Sequence, residues 1–208
     1  GAASLEESIK MIKALNDLGF HKIITTPHVM SDFYKNTNET ILCGLELVRD
    51  ELQKQKISVQ LEAAAEYYLD YEFEEKIESG NLLTFSDNYI LVETSFIQAP
   101  PNFKELIFQL QLAGYKVILA HPERYPFMSI EDYKDLQSRS VYMQLNLLSL
   151  IGYYGVDIQK KASKLITQGL ISFVGTDCHN MGQANVYEKC QTSSSWHHLV
   201  GSGKLLNH

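Results

Sequence analysis

Apolar residues recur along the chain at two different spacings. Residues 4–20 carry Leu5, Ile9 and Ile12 at the three- and four-residue spacing of one helix face. Residues 117–120 instead form a short continuous apolar run, which is typical of a strand buried on both faces. The first pattern predicts an amphipathic helix and the second a strand of a parallel sheet.

These two patterns alternate over most of the sequence. They predict helices at residues 4–20, 38–55, 71–80, 102–115, 129–140 and 156–170. They predict strands at residues 22–28, 57–69, 88–96, 116–126 (with the exit from the strand), 141–150 and 171–180. A last short helix is predicted near residues 195–199. Such alternation predicts βαβ units built around a parallel sheet.

Three of the predicted helices begin with a capping signal. Ser4 is followed three residues later by Glu7, and Ser129 by Asp132, which is the spacing of a capping box. Asn38 is the predicted N-cap of the second helix.

Composition and charge exclude several classes of protein. The chain has 208 residues, of which 45% are hydrophobic and 21% charged, and this fits a single globular domain over 1–208. The net charge of −7, without a block of lysine or arginine, argues against nucleic acid as a partner. No apolar run approaches the ~20 residues that insertion across a membrane requires. Three cysteines without paired spacing favour the cytoplasm over a disulfide framework.

A polar residue closes each predicted strand, at intervals of 25 to 38 residues along the chain. One interval corresponds to about one strand plus one helix, and in a barrel of parallel strands all such ends meet at one face. The residues are His28, Glu66, Glu93, His121, Asn146, and Asp177 with His179. We therefore expect these side chains to converge.

The residue types at these positions favour a metal site. Imidazole and carboxylate donors together suit manganese, iron or zinc better than calcium or magnesium. In an extended segment, Asp177 and His179 point to the same side, because side chains alternate with a period of two. Taken singly, each residue also fits a strand-end hydrogen bond or a salt bridge, but six strand ends in phase favour metal binding. Metals ~3.5–4 Å apart can drive an in-line displacement at phosphorus.

Arg124 lies three residues after His121 and offers a planar fork that matches phosphate oxygens. A structural pair with Glu123 or Glu131 is the alternative explanation for this arginine. Tyrosines close to the strand ends indicate a cleft for an aromatic phosphoester, although tyrosine is also ordinary at such places. They are Tyr34, Tyr67, Tyr68, Tyr125, Tyr153 and Tyr154.

At these residues the sequence resembles the PHP (polymerase and histidinol phosphatase) superfamily. More closely, it resembles the bacterial manganese-dependent protein-tyrosine phosphatases of capsule and exopolysaccharide clusters. The matching segments, in the family's order over roughly residues 1–180, are SLEES, TTPH, AAEYY, LVETSF, LAHPERY, LNLLSLIGYYG and GTDCHN. The resemblance implies an α/β fold, a distorted TIM-like (β/α)7 barrel. It also implies two or three divalent metal ions, manganese foremost, with iron or zinc as alternatives.

The resemblance also implies roles for individual residues. The implied metal ligands are His28, Glu66, Glu93, His121, Asp177 and His179. Arg124 would bind the substrate phosphate and would be catalytic together with Asp177 and His179.

The implied reaction is hydrolysis of phosphotyrosine by metal-activated hydroxide. The implied partner is the tail of a bacterial tyrosine kinase that controls capsule or exopolysaccharide synthesis, and an oligomer is left open. Two alternatives remain. One is a PHP phosphatase of a small phosphomonoester such as histidinol phosphate, and the other is a catalytically inactive metal-binding module.

Two departures from the family's pattern affect these expectations. The family begins with a strand that ends in a D-x-H-x-H motif, followed by an acidic pair and a glycine, and this sequence starts at the position of that glycine, Gly1. We therefore expect an N-terminally incomplete domain that lacks the first strand. Some relatives also carry an arginine or histidine after the last motif, where this chain reads MGQANVYEKC.

Overall fold

The computed structural model describes residues 1–207, which form alternating helices and strands. The strands are β1 (Lys22–Thr25), β2 (His28–Val29), β3 (Gln60–Ala63), β4 (Glu66–Tyr68), β5 (Tyr89–Glu93), β6 (Lys116–Ala120), β7 (Tyr142–Asn146) and β8 (Phe173–Gly175). The helices are α1 (Leu5–Asp17), α2 (Asn38–Lys54), α3 (Phe73–Ser79), α4 (Phe103–Leu112), α5 (Ile130–Ser138), α6 (Val156–Thr167), α7 (Met181–Ala184), α8 (Tyr187–Gln191) and α9 (Ser194–Gly201). Short 3-10 turns at Pro122–Arg124 and Leu147–Ile151 follow β6 and β7.

All strand pairs are parallel, and their order in the sheet follows the chain. β1 pairs with β3, and a second ladder runs β2-β4-β5-β6-β7-β8. Two predicted strands are each broken once, between β1 and β2 and between β3 and β4. Pro27, which has no amide hydrogen for a ladder, lies in the first break. The Ala64 and Glu66 amides still donate to carbonyls across the breaks, at 2.9 and 3.0 Å. The predicted parallel α/β arrangement is confirmed.

The sheet is strongly curled. Five steps between neighbouring strands of a flat sheet would separate its two edges by roughly 24 Å. The rings of His28 on the first edge and His179 beyond the last strand nevertheless lie 5.6 Å apart. The three residues between Gly175 and His179 cannot span the flat distance, so the C-terminal ends of the strands curve toward one another and enclose a concave face.

Alternation along each strand separates two apolar layers. Val117 and Leu119 of β6 belong to the main core, which the helices cover. Ile118 and Ala120 point to the concave face instead, where they pack with Leu91 in a smaller cluster. This smaller cluster forms a dry floor beneath the C-terminal edge of the sheet.

Three aromatic rings complete that floor. Tyr89 meets Tyr142 and Phe173 edge-on, at ring-centroid distances of 5.5 and 5.2 Å. Edge-to-face pairs at such distances add to the stability that burial alone provides. The floor fills the concave face from the N-terminal side, so the polar residues are held at the opposite, C-terminal end.

The helix caps agree only partly with the sequence. The Ser4 side chain accepts from the Glu7 amide at 3.2 Å, but the Glu7 carboxylate accepts from the amide of Ala3, not from that of Ser4. The prediction of Asn38 as a cap is wrong. Thr37 caps α2, and it shares a reciprocal capping box with Thr40.

The capping prediction for α5 is confirmed. Ser129 and Asp132 form both bonds of a capping box at the start of α5. The short helix predicted near the end of the chain is α9. Among residues 1–207, no helix combines the length and the apolar character needed to cross a membrane.

Candidate metal centre

Three of the predicted ligands come together on the concave face near the first edge of the sheet. His28 and Glu66 are register partners in the β2–β4 ladder, and Glu93 ends the neighbouring strand β5. The Nδ1 atom of His28 lies 2.8 Å from Glu93 Oε1 and 3.4 Å from Glu66 Oε2. Both carboxylates are buried. The sequence predicted this convergence, although His28 and Glu66 begin short strands where we expected them to end long ones.

His121 joins this group from the turn after β6. Its Nε2 atom lies 3.2 Å from Glu66 Oε1 and 3.4 Å from Glu93 Oε2. Because Ala120 already points to the concave face, alternation would send the His121 ring toward the helices. The left-handed backbone of His121, with φ 34° and ψ 56°, breaks the alternation and returns the ring to the site. Non-glycine residues held in this conformation are uncommon and concentrate at functional sites.

Asp177 and His179 approach from the last strand and form a second group. His179 Nε2 lies 3.4 Å from His28 Nε2, and His179 Nδ1 lies 3.3 Å from Asp177 Oδ1. Both residues thus reach the site, but the predicted extended geometry is wrong. Asp177 has φ 51°, and this left-handed turn, not strand alternation, aims its carboxylate inward.

Asn146 and Arg124 both contact the Asp177 carboxylate. The Asn146 side-chain amide donates to Asp177 Oδ2 at 2.8 Å, and Arg124 Nη1 lies 3.4 Å from the same oxygen. The predicted alternative, a pair between Arg124 and Glu123 or Glu131, is wrong. Glu123 is buried and bonds elsewhere, and the ion-pair partner of Arg124 is Asp177.

Two aromatic rings hold the guanidinium of Arg124. Its Cζ atom lies 4.4 Å from the centroid of Phe96 and 4.8 Å from that of Tyr154. Contacts of this kind fix the orientation of a guanidinium plane. The role of Phe96 was not predicted, and its only sequence signal is an aromatic residue three positions after the strand-end Glu93.

The tyrosines predicted to line a cleft lie in different surroundings. Tyr67 and Tyr125 are buried, and their hydroxyls accept from backbone amides, so these two belong to the core. Tyr34 and Tyr153 are about half exposed, and Tyr34 lies 5.3 Å from the ring of His28. Tyr68 lines a groove of about 340 Å³ beside the strand end that carries Glu93.

Burial and neighbouring charge act against each other on the titrating groups of the first cluster. Burial raises the pKa of Glu66, and the nearby His121 opposes that shift. Burial also acts to raise the pKa of Glu93, but His121 and His28 outweigh it and lower the pKa to about 2. For His121, burial acts to lower the pKa, yet Glu66 and Glu93 outweigh it and raise the pKa to about 10. Without a cation, the cluster therefore keeps a proton on His121.

The residues present fit a divalent transition metal. Donor atoms of His28, Glu66 and Glu93 lie within 4.8 Å of one another. His28 Nδ1 is buried and close to a carboxylate, yet within residues 1–207 it has no hydrogen-bonding partner. A buried nitrogen in this position has a lone pair to offer to a cation between the two carboxylates. Imidazole with carboxylate is also the donor set that such metals accept.

The curled parallel sheet and this cluster define an α/β protein with a candidate metal centre at the C-terminal ends of its strands. The sequence also matches a known protein family. Residues 1–194 match the family described as capsular polysaccharide synthesis, CpsB/CapC, and the chain belongs to that family.

Individual relatives are similar over most of their length. The tyrosine-protein phosphatase YwqE of Bacillus subtilis is 30% identical over 192 residues, which cover 90% of this chain and 75% of that protein. The tyrosine-protein phosphatase CpsB of Streptococcus agalactiae is 22% identical over 189 residues, which cover 87% of this chain and 78% of that protein.

A solved structure is similar in fold as well as in sequence. It comes from the crystal structures of YwqE from Bacillus subtilis and CpsB from Streptococcus pneumoniae, described as unique metal-dependent tyrosine phosphatases. The superposition has a TM-score of 0.81 at 27% identity and covers 97% of this chain and 86% of that one.

Proposed function

We propose that this protein is a metal-dependent phosphotyrosine phosphatase of capsule or exopolysaccharide synthesis. The observation that carries the proposal is the position of Arg124 at the edge of a cluster of histidines and carboxylates. Phosphoryl transfer depends on cationic groups around the phosphoryl oxygens, and an arginine beside a metal centre supplies them. The phosphatase names of the relatives YwqE and CpsB support the same reaction.

Two or three divalent ions would be held here, manganese foremost, with iron or zinc as alternatives. We assign as ligands His28, Glu66, Glu93, His121, Asp177 and His179. When bound, such ions activate water as a nucleophile and neutralise phosphoryl charge. The fit of the donor set and the description of YwqE and CpsB as metal-dependent support this assignment.

The chain's own residues orient the substrate. Arg124 would grip two phosphoryl oxygens through its planar fork, since Phe96 and Tyr154 already fix the plane. Asp177 is assigned to two tasks, because one oxygen lies beside His179 and the other beside Arg124. A substrate phosphate held at this point would contact the arginine on one side and the metal cluster on the other.

We further propose a PHP-type, TIM-like barrel that forms one domain over the chain. Family membership and the curled parallel sheet support this architecture. The proposed substrate is a phosphotyrosine-bearing protein such as the tail of a tyrosine kinase, and the proposed location is the cytoplasm. The three free cysteines fit a reducing compartment.

The test is the hydrolysis of a phosphotyrosine peptide by wild-type protein and by Arg124→Ala, each loaded with Mn²⁺. We expect Arg124→Ala to lower kcat/KM by roughly 10²-fold or more, the scale of losing one charge-stabilising donor. Metal content by elemental analysis should stay unchanged, because Arg124 is not an assigned ligand.

Arg139→Ala is the matched control, since Arg139 is an exposed arginine at the end of α5. It should leave kcat/KM unchanged. Metal-loaded wild-type protein that fails to turn over phosphotyrosine would contradict the proposal. A higher kcat/KM on histidinol phosphate would point instead to a small phosphomonoester.

A further inference from the structure

Glu123 is a buried carboxylate to which neither the metal centre nor phosphate binding gives a role. It lies between His121 and Arg124 in the chain, and it is only 2% exposed. Its Oε1 atom accepts from the backbone amide of Asn146 at 3.1 Å and from the Ser149 hydroxyl at 2.6 Å. Burial of a carboxylate costs free energy unless hydrogen bonds compensate for it, so these two bonds are important for keeping Glu123 in place.

The two bonds of Glu123 connect separate parts of the site. Glu123 belongs to the turn after β6, whereas Asn146 ends β7 and Ser149 lies in the turn that follows. The side chain of Asn146 in turn donates to Asp177. Glu123 therefore fixes the turn that carries Arg124 to the strand end that orients the partner of Arg124.

Other contacts hold the same turn from different directions. Tyr133 donates its hydroxyl to the Pro122 carbonyl at 2.6 Å, and the Lys161 ammonium of α6 donates to the carbonyls of Tyr125 and Met128. These contacts anchor the turn to the helix layer. Two further bonds reach β7: the His121 amide donates to the Gln144 carbonyl at 2.8 Å, and the Glu123 carboxylate accepts from the amide of Asn146 at the end of that strand.

We propose that Glu123 is a positioning residue for the phosphate-binding arginine. It sets the distance between the turn that carries Arg124 and the Asn146–Asp177 pair, and so decides whether the guanidinium and the metal cluster reach one phosphoryl group together. The inference rests on the proposed function, because it takes Arg124 as the phosphate-binding group.

The first experiment compares Glu123→Ala, Glu123→Gln and Ser149→Ala on a phosphotyrosine peptide. Because a displacement of about 1 Å costs up to roughly 10²-fold in rate, we expect Glu123→Ala to lower kcat/KM by roughly 10- to 100-fold. Glu123→Gln keeps an oxygen acceptor at the same place and should restore most of the loss. Ser149→Ala removes one bond only and should fall in between.

A double-mutant cycle separates positioning from general destabilisation. If Glu123 acts through Arg124, adding Glu123→Ala or Ser149→Ala to Arg124→Ala should lower kcat/KM no further. Losses that multiply would overturn the proposal, as would full activity in Glu123→Ala. The matched control is Glu131→Gln, at an exposed acidic residue in the first turn of α5, and it should behave as wild type.

Inorganic phosphate gives a second measurement that does not depend on turnover. Binding of phosphate to the metal-loaded protein, measured by calorimetry, should weaken in Glu123→Ala and Ser149→Ala while metal content stays constant. This measurement also separates the two hypotheses. A wild-type protein without phosphatase activity would refute the proposed function, whereas unchanged phosphate affinity in both variants would refute the role of Glu123.

Discussion

His28 is the residue through which the two halves of the candidate site touch. One nitrogen of its ring faces the carboxylates of Glu66 and Glu93, and the other lies 3.4 Å from His179. The burial of Glu66 and Glu93 keeps their charges away from water, so the imidazoles beside them carry the balancing positive charge. A metal ion that enters the cluster must replace this charge.

Protonation of His121 therefore couples metal binding to pH. Its pKa of about 10 in the folded protein lies above the ordinary 6.5, so its contribution to stability is present below pH 6.5 and is lost as the pH rises through 10. Glu93, with a pKa of about 2 against an ordinary 4.5, contributes above pH 4.5 and loses that contribution as the pH falls through 2. Thermal unfolding of the metal-free protein should show its highest Tm between pH 4.5 and 6.5.

The stability of the metal-free protein should fall above pH 6.5, whereas its affinity for metal should rise. A metal can bind His121 only after the proton leaves, so the apparent affinity for Mn²⁺ should rise with pH. Calorimetry in two buffers of different ionisation heat measures the protons released. His21→Gln, at an exposed histidine outside the site, should release the same number, and binding without any release would contradict the assignment of His121.

The ends of helices and strands differ in how well the sequence predicts them. The ends of β5 and β7 were predictable, because an apolar run that stops at a polar residue is visible in the sequence, whereas His28 and Glu66 begin their strands. The cap of α2 was not, because Thr37 and Asn38 are both good capping residues and adjacent. The bond from Thr37 back to Thr40 decides between them.

Removal of the Thr37 cap should destabilise the protein by a modest amount. Thr37→Ala leaves an amide of the first turn of α2 without its acceptor, and such changes cost about 0.5–2 kcal/mol in the free energy of unfolding. Urea unfolding followed by circular dichroism measures this change. Ser58→Ala, at an exposed hydroxyl outside the helices, is the control, and an equal effect of both variants would argue against the cap.

At the scale of the whole molecule, the aromatic floor and the helix layer maintain the curl that brings the two edges together. Phe173 is 4% exposed and contacts both Tyr89 and Tyr142 on the concave face. Without this filling, the concave face beneath the polar cluster would hold a cavity. The position of the site thus depends on packing several residues below it.

Phe173→Ala should destabilise the protein strongly. A large aromatic residue removed from a core costs about 3–5 kcal/mol in the free energy of unfolding, because the cavity is only partly refilled. Denaturant unfolding measures the loss. Phe108→Ala on α4, where the ring is about half exposed, should cost less than about 0.5 kcal/mol. Similar losses in the two variants would show that the floor does not support the fold.

The sequence was sufficient to predict features that repeat. Parallel α/β topology follows from alternating periods, and the convergence of His28, Glu93 and His121 follows from the place of each in its repeat. Features that depend on how distant segments pack were not predictable. The left-handed turn at Asp177, the stacking of Phe96 on Arg124 and the burial of Glu123 each result from packing between segments that are distant in the chain.

The contact between His28 and His179 also sets the time at which the site can form. The two residues are 151 positions apart in the chain. At a synthesis rate of about 5–20 residues per second, His28 leaves the ribosome roughly 8 to 30 seconds before His179. A nascent chain that has folded its first strands therefore still lacks the second half of the site. Interrupted synthesis would yield fragments that hold Glu66 and Glu93 but not the complete centre.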